Sequence, residues 1–287
     1  MRRARLLVLT FVAALLAGGL GGCGGNDAAD LAESISERVR AEVEERRERF
    51  RQRVEEVLGD MQRALPRAER TDPSVQAQGQ NGTETIDAFL TRILRDIDAY
   101  WERTFAASDL PQPRVAYIWV PPGRRVATAC GTPADDRAAF YCPADDTIYI
   151  AQVFAAQLYE GVAEGFPGQA AGFGRAAGDF GVAYVVAHEY AHNLQNELGL
   201  FTIGSANSTE PFELQADCMA GAWGYSVYET GQLSPDDIEE AINTALAVGD
   251  FDVSSVNHHG TPAERRDAWL LGFESGDPSV CGRFVPT

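Results

Sequence analysis

The stretch FGVAYVVAHEYAHNLQNEL, residues 180–198, predicts a buried helix that carries a metal site. Within it, His188 and His192 frame the pattern His-Glu-x-x-His. Side chains at positions i and i+4 share one face of an α-helix, so both imidazoles can reach a single zinc ion at about 2.0–2.1 Å. Glu189 follows the first histidine and can take a proton from a zinc-bound water as the general base. Apolar neighbours indicate burial, and buried ionisable groups are costly unless they are paired or bound to metal.

The segment ELQAD, residues 213–217, predicts the remainder of the site on a second helix, whose start is indicated by Ser208, Thr209 and Pro211. Glu213 is the expected third ligand, which gives a zinc site of two histidines and one glutamate with an open fourth position. Asp217, one turn further on, is expected to accept the free ring N–H of a ligand histidine and fix its orientation. The alternative is an ordinary solvated helix face, which the apolar neighbours disfavour.

The remaining histidines, His258 and His259, lie in the sequence NHHGT. A metalloprotease needs a donor that stabilises the tetrahedral oxyanion, and His259 is a candidate for this catalytic role. A structural loop histidine is the alternative. Tyr190, inside the zinc motif, is expected to pack or to face the cleft rather than to act in catalysis.

The first 22 residues predict a lipoprotein signal peptide, with Cys23 as the lipidation site. Arginines precede an apolar run at 6–16 that is shorter than an ordinary membrane span. The sequence LGGC at 20–23 resembles a bacterial lipobox, and a cysteine with two acyl chains gives a stable anchor. We therefore expect a lipid anchor on the extracytoplasmic face of the cell membrane. A plain signal peptide and an uncleaved anchor are the alternatives.

Residues 23–82 predict a charged helical stalk and a linker. The part at 30–65 has good helix formers, a thin apolar stripe and many Glu and Arg residues at pairing distance. A solvated spacer is favoured over a short coiled coil or a helix lying on the domain. The part at 71–82 is rich in Gln, Gly and Ser and predicts the linker. Residues 83–287 are the predicted zinc metallopeptidase domain.

Composition and local patterns give further bounds. Of the 287 residues, 45% are apolar and 23% charged, which excludes disorder throughout. The net charge of −18 argues against nucleic acid as a partner, because phosphate binding needs a basic face.

Residues 86–105 predict an amphipathic helix, and 115–120 and 147–151 predict strands. A glycine-rich loop is expected at 166–179, with Asp179 as the cap of the zinc-motif helix.

The cysteines beyond the lipobox are even in number, which suggests two disulfides in an exported protein. Cys130 and Cys142 lie close in sequence with turn residues between them, which suits a local loop. Of the three possible connectivities, we expect this pair together with Cys218–Cys281. A buried free Cys218 is the alternative.

The chain resembles a bacterial family of neutral zinc metallopeptidases of gluzincin type. The resemblance runs over about 83–287 and is most specific in the block ELQADCMAG at 213–221, beyond the zinc motif itself. It implies zinc on His188, His192 and Glu213, with Glu189 as the base. The family usually has Gly and His where this chain has Ala191 and Asn193.

These observations predict an α+β, zincin-like metalloprotease domain, mostly helical with a small sheet, preceded by a helical stalk. The expected function is that of a membrane-anchored extracytoplasmic zinc metalloprotease that hydrolyses peptide bonds of a peptide or protein substrate. A non-catalytic zinc-binding surface lipoprotein and a zinc hydrolase of a cell-envelope amide are the alternatives. The sequence does not indicate an oligomeric state.

Overall fold

The computed structural model describes three stretches of the chain, residues 85–108, 110–203 and 208–284. The predicted signal peptide, the lipidation site Cys23, and the predicted stalk and linker at 23–82 lie outside these stretches and stay predictions. No helix within the three stretches is long and apolar enough to cross a membrane.

Helices make up most of the described chain. In order they are α1 (Ile86–Ala107), α2 (Gln152–Tyr159), α3 (Pro167–Ala170), α4 (Asp179–Glu197), α5 (Leu200–Ile203), α6 (Glu210–Glu229), α7 (Pro235–Val248), α8 (Pro262–Ser275) and a 3₁₀ helix at Pro278–Arg283. The strands are β1 (Ala116–Val120), β2 (Ala139–Cys142) and β3 (Thr147–Ala151). The predicted α+β architecture, mostly helical with a small sheet, is confirmed.

The sheet has the strand order β1–β3–β2, with β1 parallel and β2 antiparallel to β3. The central strand β3 is buried along its whole length, which agrees with its β-branched and aromatic residues. The strands predicted at 115–120 and 147–151 are both present. The edge strand β2 was not predicted, since four residues are too few to show a periodic pattern.

The zinc-motif helix α4 lies in the core of the domain and packs against α1, α6, α7 and the sheet. Its start differs from the prediction, because Gly178 and not Asp179 is the N-cap. Gly178 has a φ of 84°, which favours glycine, and the carboxyl group of Glu240 occupies the space that a side chain at this position would need. Asp179 is instead the first helical residue, where its negative charge still suits the helix dipole.

Helices α6 and α8 approach each other through two glycines. A Cβ atom at Gly221 would collide with the backbone oxygen of Trp269, and one at Gly272 with that of Cys218. Only glycine permits such contact between helix backbones. This close approach packs side chains of α8 against the buried side chains of α6.

Both predicted disulfides are present. Cys130 pairs with Cys142 at the end of β2, and Cys218 of α6 pairs with Cys281 of the 3₁₀ helix. The alternative of a free buried Cys218 was therefore wrong. The second bridge ties the C-terminal segment to the helix that carries Glu213.

Candidate active site

Two histidines of α4 and one glutamate of α6 converge as predicted. His188 Nε2 lies 3.1 Å from His192 Nε2 and 3.1 Å from Glu213 Oε2. His192 Nε2 lies 3.5 Å from Glu213 Oε1. The three side chains are almost fully buried. Each of them offers one ligand atom, and the three atoms lie close together between α4 and α6.

The donor set fits zinc in spacing and in protonation. Tetrahedral bonds of about 2.0–2.1 Å place two ligand atoms roughly 3.3–3.4 Å apart, close to the separations found here. The Nδ1 atoms of His188 and His192 lie 2.8 Å from Asp217 Oδ1 and Gln195 Oε1, respectively, so both Nδ1 atoms carry the proton. Both Nε2 atoms are then the ring nitrogens that can offer a lone pair to one bound cation.

Asp217 holds His188 from behind, as predicted for a carboxylate next to a ligand histidine. Its oxygens also accept hydrogen bonds from Arg265 at 2.7 and 2.9 Å, and from the hydroxyl of Tyr184 at 2.5 Å. Burial alone would raise the pKa of Asp217, but the charges of Arg265 and His188 lower it below its usual value. The carboxylate therefore stays ionised and orients the imidazole.

Gln195 performs the same task for His192. It lies three residues further along α4, so its side chain meets the ring on the same helix face. Its amide group donates to the backbone oxygen of Phe212 at 2.7 Å and to Gln215 Oε1 at 3.1 Å. These donations fix which end of the amide faces His192, and therefore fix the histidine tautomer.

Glu189 is buried beside the ligand cluster. Its Oε2 accepts a hydrogen bond of 2.8 Å from the backbone N–H of Tyr141 in β2. Burial raises the pKa of Glu189, an effect that the neighbouring His188 and His192 partly offset. A carboxylate with a raised pKa is suited to taking and returning a proton near neutral pH.

A cleft of about 440 Å³ opens onto the cluster and is lined by His188, Glu189, His192, Glu213 and His259, among others. A second cleft of about 410 Å³ shares Tyr141, His192 and Glu213 with the first. The two clefts together form a groove that runs past the ligand cluster. An extended chain can lie in such a groove.

The chain matches, over residues 48–284, the family described as "Putative neutral zinc metallopeptidase". The chain belongs to this family. Zinc is accordingly its cofactor. The match begins at residue 48, so the expectation that the resemblance starts near residue 83 was wrong, and the later part of the predicted stalk lies inside the family region.

Curated relatives of the chain are described as uncharacterized proteins. Protein YpfJ of Escherichia coli K12 is 35% identical over 177 residues, which cover 55% of this chain and 58% of YpfJ. Protein Rv2575 of Mycobacterium tuberculosis H37Rv is 32% identical over 213 residues, which cover 66% of this chain and 67% of Rv2575. The chain thus spans less than two thirds of the length of YpfJ. No solved structure gives a significant match.

The other predicted residues lie in different surroundings. His259 reaches the cleft with a half-exposed side chain, and its Nδ1 lies 3.3 Å from Asp250 Oδ2. Tyr190 is buried and donates its hydroxyl to Asp98, so it packs as expected and does not face the cluster. Asn193 donates to the backbone oxygen of Arg114 and to an oxygen of Asp146. Asn193, which stands where the family usually has His, therefore has a structural role.

Three residues that hold the candidate ligands or their partners were not predicted as site residues. Arg265 and Tyr184 hold Asp217, and Gln195 holds His192. Gln195 had a usable signal, because a polar residue three positions after a ligand on a buried helix needs a partner. Arg265 had a weaker signal, since a buried Asp217 requires a cation but the sequence does not say which one.

Proposed function

We propose that this chain is a membrane-anchored, extracytoplasmic zinc protease in which Glu189 is the general base of peptide hydrolysis. The observation that carries the proposal is the position of Glu189, whose carboxylate lines the same cleft as the three ligating side chains. A site with three protein ligands suits catalysis, because structural zinc sites almost always have four. Zinc, when bound, polarises a substrate carbonyl and makes water more acidic.

Glu189 transfers a proton from the attacking water to the leaving amine. The N–H of Tyr141 holds Oε2, which leaves Oε1 to accept a proton from the attacking water. The water oxygen forms a bond to the scissile carbonyl carbon, and the carbon–nitrogen bond then breaks. Glu189 returns its proton to the leaving amine, so that the carboxylate is regenerated.

The edge strand β2 supports the binding of an extended peptide. The carbonyl of Ala138 accepts from the N–H of Ala151, whereas the N–H of Tyr141 points to Glu189. The backbone groups of successive residues in β2 therefore point alternately towards β3 and away from it. The backbone groups of Ala139 therefore face away from β3, as does the carbonyl of Tyr141. Both residues line the cleft, where a peptide can pair with them as an added strand.

The side chains of the cleft favour a particular peptide chemistry. Its wall includes the apolar residues Phe140, Phe154, Phe166, Val185 and Val248. Arg137 is exposed at the cleft and has no ion-pair partner among the described residues. We expect a preferred substrate to have a bulky apolar side chain near the scissile bond and an acidic group close to it.

Two further roles belong to the proposal. His259 lines the cleft and can donate to the oxyanion that forms at the carbonyl oxygen. Acylation at Cys23 would hold the domain at the extracytoplasmic face of the membrane, where a peptide or protein substrate meets it.

Replacing Glu189 by Gln in the full chain tests the base. We expect Glu189→Gln to bind as much zinc as the wild type by elemental analysis and to lose hydrolysis of a peptide library. Glu197→Gln, at an exposed position of the same helix, is the control and should keep both. Retained hydrolysis in Glu189→Gln would overturn the assignment. Bound zinc without hydrolysis by the wild type would favour a zinc-binding lipoprotein, and cleavage of envelope amides alone would favour the other hydrolase.

A further inference from the structure

We propose that His258, Glu210 and Glu264 form a second cation site, separate from the zinc ligands, for a divalent ion of the zinc or manganese type. A ring nitrogen of His258 and one carboxylate oxygen of each glutamate lie within 4.8 Å of one another. Imidazole and carboxylate are both ligands that zinc and manganese accept. The cluster joins three elements: the start of α6, the start of α8 and the loop between α7 and α8.

His258 is oriented for metal binding. Its side chain is 2% exposed, and its Nδ1 lies 2.6 Å from Asp250 Oδ1. A ligand histidine usually donates its other ring N–H to a carboxylate in this way. Nε2 is then left with its lone pair, and it has no hydrogen-bond partner among the described residues. A buried nitrogen in this position can coordinate a cation.

The two glutamates keep oxygens free for the ion. Glu264 uses Oε2 to accept from the backbone N–H and the hydroxyl of Thr261, at 2.9 and 2.6 Å, which leaves Oε1 available. The carboxylate of Glu210 has no hydrogen-bond or ion-pair partner within the described stretches. The binding geometry therefore does not require the helix cap of α8 to break.

The charge balance favours a cation, although less strongly than at the first site. Against the effect of burial, hydrogen bonds from His259 and His258 lower the pKa of Asp250 to about 2, so this carboxylate is ionised. Together with Glu210 and Glu264, it gives three negative charges around one imidazole. The positive N-terminal ends of α6 and α8 oppose a cation and lower its affinity. We therefore expect this site to fill after the first one.

The second ion would organise the groove. Glu210 precedes Glu213 by one helical turn, so the ion would lie one turn from a zinc ligand on α6. Asp250 also accepts from the backbone N–H of His259 at 2.8 Å. An ion on His258 would thereby fix Asp250 and, through it, the loop that presents His259 to the cleft.

Titration of Zn²⁺ into the metal-stripped full chain, followed by isothermal calorimetry and elemental analysis, tests the proposal. We expect two ions per chain in the wild type and one in both His258→Gln and Glu210→Gln. His188→Ala should also bind one ion, at the second site, whatever its peptidase activity. Glu229→Gln, at the exposed far end of α6, should keep two.

Two outcomes would overturn the proposal: one ion in the wild type, or two ions in both the His258 and Glu210 variants. The Glu210 variant covers the case in which the buried His258→Gln fails to fold. Because the readout is stoichiometry, it is independent of whether the first site hydrolyses peptides. A repeat with Mn²⁺ distinguishes the two ions that the donor set allows.

Discussion

Arg265 donates to both carboxylate oxygens of Asp217, from Nε at 2.7 Å and from Nη2 at 2.9 Å. Both side chains are buried behind the ligand His188, and one oxygen of Asp217 also accepts from the ring of this histidine. The helix register explains the meeting. Asp217 and Gly221 share one face of α6, and Arg265 and Trp269 share one face of α8, so the close backbone contact carries the arginine onto the aspartate. Helix packing thus sets the orientation of the candidate zinc ligand His188.

Replacing Arg265 by Met should destabilise the fold and weaken zinc binding together. The change leaves the buried carboxylate of Asp217 without its cation, which costs about 3–5 kcal/mol in the free energy of unfolding. Loss of a fixed partner behind His188 should raise the Kd for zinc by about 10–100-fold. Urea denaturation and zinc titration measure the two effects. Arg266→Met, which removes a partly exposed arginine paired with Asp267, should change neither, and equal losses in both variants would contradict the argument.

Replacing Gly221 by Ala should separate α6 from α8. The new Cβ would meet the backbone oxygen of Trp269, which cannot rotate away as a side chain could. Overpacking of this kind costs about 1–3 kcal/mol, and the shift should also loosen the contact between Arg265 and Asp217. Thermal unfolding and zinc affinity both report the change.

Gly224 provides the matched control on the same helix. A Cβ there would lie 3.4 Å from the ring of Trp269, an ordinary contact with a side chain. Gly224→Ala should therefore be neutral or stabilising, since alanine favours the helix. If the two alanine variants have the same Tm, the close approach at Gly221 does not control the packing.

The sequence predicted the parts of the site that depend on local spacing. The i and i+4 positions of His188 and His192 follow from helix geometry, and Glu213 and Asp217 follow from the same rule applied to a second helix. Arg265 was not predicted as a site residue, because its contact with Asp217 joins positions 48 residues apart and depends on how two helices cross. Pairing across helices leaves no periodic signal in the chain.

The edge strand β2 is another feature that could not be predicted from local sequence. Its four residues are held by pairing with β3 and by the bond between Cys130 and Cys142, both of which are tertiary features. The hydrogen bond from Tyr141 to Glu189 therefore could not be predicted from the motif. The signal peptide, Cys23 and the stalk lie outside the described residues and stay predictions.

Glu240 should make stability depend on pH. Burial raises the pKa of Glu240 to about 7, and the neighbouring Asp179 and Asp237 add to the rise against a lowering hydrogen bond from the N–H of Phe180. The folded protein keeps this proton above the ordinary pKa of 4.5, where the unfolded chain loses it. The contribution of Glu240 to stability is therefore fully present below pH 4.5 and is lost as the pH rises through about 7.

Glu240→Gln tests this dependence. The amide oxygen can still accept from the N–H of Phe180, but no charge develops. We expect the variant to be more stable than the wild type at pH 8 by about 1 kcal/mol, a value reduced because the carboxylate is partly solvated, and equal to it at pH 4.5. Thermal unfolding at both pH values provides the comparison. Glu164→Gln, at an exposed position outside this helix, should retain the wild-type fall in stability between the two pH values.

Arg137 should select acidic substrates if the chain is a peptidase. Its guanidinium is exposed at the cleft, so an ion pair with a substrate carboxylate contributes about 0.2–1 kcal/mol. Arg137→Gln should therefore raise the KM of a peptide with Glu near the scissile bond by up to about fivefold and leave kcat unchanged.

The matched peptide with Gln in place of Glu separates charge from shape. Its KM should be the same for the wild type and for Arg137→Gln, whereas the preference of the wild type for the acidic peptide should shrink as salt screens the charges. Arg124→Gln removes an exposed arginine that does not line the cleft and should retain the full preference. An acidic preference that survives in Arg137→Gln would place the selecting cation elsewhere.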